Sequence, residues 1–407
     1  MRIGLFGGSF DPVHNGHVSM IKGALNSGLV DAVIVIPSVR NSFKRGRASS
    51  AAPYRFYMMK EVIDSELDKL PVYLCDIEFF IDGISYTAVT LERLCDRDYI
   101  EAFLVEHGVK PKKASEDHTF YWIVGSDILP QFDTWYMPDK ILSYADLLTA
   151  SRPGDGVDVE AEADRLFAIF GKRPEIFMID EVEAASSYIR REGDYDDVPE
   201  AARDFIKTHA MYTGVNVLDH VSDDTAEQFL DIAVGLYPFL CQKRLLHTLN
   251  VGLLSCRYAH MYGADAGKAL IAGALHDCAK ELPIEIQRDM ARKRSGDVFT
   301  DRKLLHSPAG AVFAASEFGV DDPEILDAIT YHTTGCGNMS ILAKIVFLAD
   351  KIEPSRTYTD LTEIRRAAET DIDEALRMCA SSVRDKFKAQ GRELHPLTSD
   401  FMESLGI

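Results

Sequence analysis

Two textures follow one another along this chain, and their order constrains the fold more than any single residue. From Ile3 to Ile179, short β-rich apolar runs recur: Ile3–Phe6, Ala32–Ile36, Val72–Cys75, Tyr121–Val124, Leu147–Ala150 and Ile176–Ile179. Between them lie helical patterns such as Val18–Leu25, Pro53–Leu67, Tyr86–Leu94 and Val159–Phe170. Strands alternating with helices predict an α/β doubly wound parallel sheet, whose ligands sit beyond the carboxyl ends of the strands. After about Thr213 nearly every segment has helical periodicity, as in Thr225–Leu236, Lys243–Met261, Ala266–Ala279, Pro308–Phe318, Asp322–Tyr331 and Ser340–Ile352. That predicts a second, all-α domain. We expect domains over residues 1–213 and 226–407, with 214–225 as a linker, its polar, acid-rich part Asp219–Thr225 serving as linker or helix lead-in. A length of 407 residues also calls for more than one domain.

The turn between the first strand and first helix, Gly7 to His17, reads GGSFDPVHNGH. Backbone N–H groups at a helix start lack internal partners and carry positive partial charge, so this position attracts phosphate. His14 and His17 are one helical turn apart and can lie side by side over the same phosphate. Gly16 lets a nucleotide approach the backbone. The lysine of a P-loop and the spacing of a dinucleotide fingerprint are both missing here.

This stretch resembles the HxGH signature of the nucleotidyltransferase superfamily, and the longer string resembles bacterial nicotinate-mononucleotide adenylyltransferases. Later segments match that family in order: Tyr54–Met59, Ser85-Tyr86-Thr87, Gly125-Ser126-Asp127, Trp135, Ser151–Gly154 and Ser186–Arg190. In the last of these, Ala184 and Ala185 replace the first two residues of the family's ISSTxIR and Ser187 replaces threonine, which keeps a hydroxyl at the expected helix cap. The resemblance spans residues 1–213. It implies adenylyl transfer from ATP to nicotinate mononucleotide, releasing pyrophosphate and giving nicotinate adenine dinucleotide for NAD biosynthesis. It also implies roles for residues: His14, His17 and Arg190 in catalysis; Gly8, Ser9, Phe10, Gly125, Asp127, Arg152, Ser186 and Ser187 on ATP; Lys44, Thr87 and Trp135 on the acceptor. Mg²⁺ would accompany the triphosphate. The acceptor's phosphate is already ionised and needs no general base, so the enzyme would act by positioning and charge neutralisation. A different phosphorylated acceptor is the alternative.

The helical half carries its own constellation: His247, the pair His276-Asp277, His306, His332 and Asp350. Helical bundles build carboxylate–histidine metal sites by facing such residues inward from separate helices. The pattern, with Lys243–His247, Ala272–Lys280, His332–Gly335 and Ala349–Arg356 around it, resembles the HD phosphohydrolases. Within them it is similar to a family that hydrolyses diadenosine tetraphosphate symmetrically to two ADP and carries iron. That resemblance implies a first metal on His247, His276, Asp277 and Asp350. Asp277, also a catalytic residue, would bridge to a second metal held with His306 and His332, and Lys280 and Arg356 would hold phosphates. Imidazole and carboxylate without thiolate suit iron, manganese or a similar divalent ion. Action on another nucleotide, or service as a silent regulatory module, are the alternatives for this half.

A net charge of −20 argues against nucleic acid or an anionic membrane as partner. No apolar stretch approaches the ~20 residues of a membrane span, and no signal segment opens the chain. Seven scattered cysteines without a CxxC pair suit reduced thiols, so a cytoplasmic location is expected. Self-association as a homo-oligomer stays open at this level.

Overall fold

Strands buried on both faces read as unbroken apolar runs, and Ala32–Pro37, buried at every position, is the plainest of the six strands that the first half forms. The computed structural model describes residues 1–40, 50–109, 117–152, 156–179, 185–357 and 360–407. Lys44 lies outside the described residues. The chain divides into two units, one comprising Met1–Lys207 with Met211–Gly214, the other Thr208–Ala210 with Val215–Ile407.

In the first unit the strands are β1 (Arg2–Gly8), β2 (Ala32–Pro37), β3 (Val72–Leu74), β4 (Thr119–Gly125), β5 (Asp146–Ser151) and β6 (Glu175–Met178). They form one sheet in the order β3-β2-β1-β4-β5-β6, every pair parallel. The order reverses between β1 and β4, so the crevice for a ligand opens beyond their carboxyl ends. The GGSFDPVHNGH turn leaves β1 there, and Gly125-Ser126-Asp127 leaves β4 beside it. The helices are α1 (Asn15–Asn26), α2 (Ala52–Glu66), α3 (Thr87–Leu94), α4 (Arg97–Glu106), α5 (Pro138–Tyr144), α6 (Val159–Phe170), α7 (Ser186–Glu192) and α8 (Glu200–Thr208). Gly7 is required at the end of β1, because a Cβ there would stand 2.3 Å from the Trp122 ring.

The second unit is helical: α9 (Asp223–Gly235), α10 (Gln242–Met261), α11 (Ala266–Leu275), α12 (Ile284–Ser295), α13 (His306–Phe318), α14 (Pro323–Tyr331), α15 (Ile341–Ile352), α16 (Thr362–Ala368), α17 (Ile372–Ala389) and α18 (Pro396–Ser404). Side-chain caps fix several starts: Asp265 on α11, Asp322 on α14 and Ser340 on α15 each accept backbone N–H bonds. Gly252 of α10 and Gly273 of α11 let these two helices touch backbone to backbone. A Cβ on Gly273 would lie 2.8 Å from the Gly252 Cα. The close approach sets His247 on α10 against His276, which caps the carboxyl end of α11.

The stretch 214–225 carries local structure and leads into a helix. Val217–His220 forms a single 3₁₀ turn, Leu218 and Val221 are buried, and the Cys256 thiol donates to the Val217 carbonyl. Ser222 then caps α9, accepting from Thr225 N at 3.2 Å. Two of its four apolar residues are thus buried.

Candidate nucleotide site and candidate metal centre

Burial governs the paired histidines. Their rings stack with centroids 3.7 Å apart, and His17 presents its edge partner Phe10 at 4.9 Å. Burial draws His14 down to about 4, and burial reinforced by His14 holds His17 well below its ordinary value. Both rings are therefore neutral at physiological pH. His17 Nδ1 accepts the His14 backbone N–H at 3.1 Å, so its ring proton sits on Nε2 as a donor. Phe10 has a φ of 48° and is almost fully buried, so its side chain wedges the His17 ring. Gly8 makes room for it; a Cβ there would lie 2.9 Å from the Phe10 ring.

The hub of this site is a residue the sequence did not single out. Asp11 is fully buried within the signature turn. Its Oδ1 accepts the Tyr212 hydroxyl at 2.6 Å and its Oδ2 the Ser50 N–H at 3.2 Å. Arg190 donates to its backbone carbonyl and stands 3.5 Å from Oδ2. Ser186 Oγ donates to the Pro12 carbonyl at 2.9 Å. The expected capping hydroxyl on α7 is thus corrected. Ala185 occupies the N-cap, Ser186 is spent on Pro12, and Ser187 is exposed in the first turn. Arg55 is also buried, and donates to the carbonyls of Ser9, Ser38, Val39 and Ser50. It gathers the signature turn and both described ends of the 41–49 segment. Nothing local in the sequence foretells these bonds; Tyr212 and Asp11 are 201 positions apart.

Asp127 is exposed at the start of the 3₁₀ helix Ser126–Thr134, its Oδ1 2.4 Å from where a Gly125 Cβ would stand. Gly125 is what allows that carboxylate to fold over the end of β4. Arg152 is exposed at the end of β5. Thr87 begins α3, next to Ser85, which exchanges hydrogen bonds with Arg40. Trp135 is partly buried with its ring 5.5 Å from Phe132. Beside it, exposed Tyr136 stacks on Tyr86 at 4.4 Å, an aromatic pair the motif reading missed.

In the helical unit, all six expected ligands are buried and converge from five places. His247 comes from α10, His276-Asp277 from the end of α11, His306 from α13, His332 from the end of α14 and Asp350 from α15. Three overlapping groups, His247-His276-Asp277, His276-His332-Asp350 and Asp277-His306-His332, each have ligand atoms within 4.8 Å of one another. A carbonyl can only accept, so two ring protons can be placed. His276 Nδ1 donates to Gly273 O at 2.7 Å and His332 Nδ1 to Ile329 O at 2.8 Å. Each Nε2 is then a bare lone pair. His332 Nε2 faces Asp277 Oδ1 at 3.4 Å, acceptor against acceptor. His276 Nε2 and Asp277 Oδ1 are buried without a hydrogen-bond partner. Leaving such atoms unpaired costs on the order of 1–3 kcal/mol each, so the arrangement calls for a cation. Imidazole held by a carbonyl or carboxylate behind it fits a divalent metal.

Charge leads the same way. Burial pushes Asp277 and Asp350 upward, but it is outweighed at each by the surrounding groups, at Asp350 first by the Lys351 ammonium. Both lie well below the carboxylate range. Burial likewise opposes protonation of His247, yet Asp350 and Glu353 outweigh it and raise the ring. Around the cluster, Arg244 donates to Asp277 at 2.6 Å, Lys351 to Asp350 at 2.6 Å, and Arg356 to Asp350 at 2.9 Å. Lys280 lies 2.9 Å from His306 Nε2, its ammonium drawn down by burial. Sequence reasoning assigned no role to Arg244 and Lys351.

Fold and sites define a nucleotide-binding α/β unit joined to a helical metal-centre unit. Residues 5–193 match the cytidylyltransferase-like family and residues 244–355 the HD domain family. The chain belongs, through its first half, to the nicotinate-nucleotide adenylyltransferases and, through its second, to the symmetrical bis(5'-nucleosyl)-tetraphosphatases. It is 30% identical over 215 residues to a "Probable nicotinate-nucleotide adenylyltransferase" of Clostridium novyi, covering 51% of this chain and 98% of that one. It is 39% identical over 142 residues to "Bis(5'-nucleosyl)-tetraphosphatase, symmetrical" of Halalkalibacterium halodurans, covering 34% of this chain and 76% of that one. A Mycoplasma pneumoniae protein named "Probable nicotinate-nucleotide adenylyltransferase/Ap4A hydrolase" is 25% identical over 387 residues, covering 93% and 98%. The two halves therefore occur together in a relative that this chain matches along nearly its whole length. Among the described residues, no helix is long and apolar enough to cross a membrane, and all seven cysteines are free.

Proposed function

We propose that this chain is a bifunctional enzyme of the cytoplasm. Its first unit transfers the adenylyl group of ATP, taken as the Mg²⁺ complex, to nicotinate mononucleotide. Its second hydrolyses diadenosine tetraphosphate to two ADP. The observation that carries the first activity is the stacked, neutral His14–His17 pair at the sheet's switch point. Two ring donors and a helix start hold phosphate oxygens there, and the buried Asp11 carboxylate of the same turn is answered by Tyr212, Ser50 and Arg190. Arg190, held at Asp11, adds positive charge on the same turn, and Asp127 accepts from ribose hydroxyls. Trp135, Thr87 and Lys44 serve the acceptor, with the indole against the pyridine ring.

For the second activity the carrying observation is the set of bare buried acceptors around Asp277. Two divalent ions, iron or another metal, would be held by His247, His276, Asp277, His306, His332 and Asp350 and would supply Lewis-acid charge neutralisation. Arg244, Lys280, Lys351 and Arg356 neutralise the polyphosphate, and buried Asp277 belongs to two of the three ligand groups. One experiment tests the pair: metal content of the purified chain, with product analysis on ATP plus nicotinate mononucleotide and on diadenosine tetraphosphate. We expect nicotinate adenine dinucleotide with pyrophosphate, and ADP alone. ATP with AMP from the tetraphosphate would refute symmetrical cleavage, and pyrophosphate release only with another acceptor would refute the first assignment.

A further inference from the structure

Behind His247 the hydrogen bonds continue past the family's own segment. His247 Nδ1 lies 3.0 Å from Glu353 Oε1, and the other oxygen of this fully buried carboxylate accepts from Asn250 Nδ2 at 2.9 Å and from Ser355 N at 2.7 Å. Asn250 Nδ2 also lies 3.0 Å from His209 Nδ1. A carboxylate can only accept here, so the amide end of Asn250 is fixed as its NH₂. It follows that His209 Nδ1 is the acceptor at the far end of the chain. His209 stands outside the HD match, which begins at residue 244. It belongs to Thr208–Ala210, the three residues that pack with the second unit although Lys207 and Met211 on either side pack with the first.

We propose that His209 is a positioning residue of the metal centre. It accepts one proton of the Asn250 amide and so aims the other at Glu353, which holds the His247 ring with Nε2 turned toward Asp350. Each link limits the freedom of the next: an amide anchored at both hydrogens cannot rotate, and a carboxylate held by Asn250 and Ser355 keeps the imidazole in one orientation. Outer partners of this kind raise metal affinity by holding ligands ready, commonly about 10–100-fold for a direct partner. A partner two bonds further out should act less strongly. This inference rests on the metal-centre reading of the second unit.

The test uses the full chain and Co²⁺ alone as probe, with affinity measured by competition with a chelator and ligand geometry by the visible absorption of the bound ion. His209→Phe should weaken Co²⁺ binding about three- to tenfold and alter the absorption band. His209→Asn places an amide oxygen where Nδ1 stood and should bind Co²⁺ within about twofold of the parent, since the acceptor is restored. Equal affinity in His209→Phe and the parent overturns the proposal. So does an equal loss in both variants, or a fall in the thermal stability of metal-free His209→Phe large enough to account for the loss. If the parent chain binds no Co²⁺, the metal-centre reading itself fails and this inference falls with it.

Discussion

The two sites treat their buried polar atoms in opposite ways. Around the signature turn most are already paired: Asp11 with Tyr212, Ser50 and Arg190, Arg55 with four carbonyls, His17 Nδ1 with His14 N, while His14 Nδ1 is left without a hydrogen-bond partner. In the helical unit, Nε2 of His276 and His332 converges with Oδ1 of Asp277, and Arg244 answers only the other oxygen of that carboxylate. A pocket for a ligand that brings its own charge needs a prebuilt frame with donors to spare. A pocket for a cation needs acceptors that are satisfied only when the cation arrives. The same protein thus builds one rigid frame and one that is incomplete by itself.

Four changes break or sharpen that contrast. The largest effect is expected from Asp277→Ala, which removes the carboxylate shared by two ligand groups. Hydrolysis should fall by at least ~10³-fold with loss of bound metal, while adenylyl transfer by the same chain stays within about twofold. Hydrolysis indifferent to the change would instead mark the helical unit as catalytically silent. Next, His17→Ala should lower adenylyl transfer by about 10²–10³-fold, the scale of losing one transition-state donor, and leave hydrolysis intact.

Third is a pH effect. His14 is held at about 4 in the fold against an ordinary 6.5, so the unfolded chain takes up the proton first. Stability from this group is complete above about 6.5 and is lost as pH falls toward 4, by at most about 3 kcal/mol. Denaturant unfolding of the first unit, followed between pH 7 and 4, should show a slope that His14→Gln reduces. The smallest effect is expected from Tyr212→Phe. It removes one bond to Asp11 and should cost about 1 kcal/mol in stability with a several-fold loss of adenylyl transfer. Parent-like behaviour would show that Arg190 and Ser50 hold Asp11 unaided.

How much was legible in advance depends on the range of each signal. All six strands lie where apolar β-rich runs stand, most plainly at β2, which is buried at every position and has no place for a polar residue. The helical half was legible from periodicity, although α11 ends at Leu275 rather than Ala279, since His276 turns into the metal cluster as its cap. The six acidic and imidazole side chains of that cluster were singled out through their resemblance to the HD pattern, and the fold brings them together. Glu353, Asn250, Arg244, Asp11 and Tyr212 were not. Their importance lies in whom they meet, at separations of 33 to 201 positions, and no local pattern encodes a meeting.

By itself, then, the sequence determined the class of each half and the atoms able to bind phosphate or metal, since periodicity and functional groups are carried by residues one at a time. Only the tertiary structure decided which lone pairs stay bare and which are answered. Hydrogen-bond satisfaction is a property of pairs brought within about 3 Å, and folding alone makes those pairs.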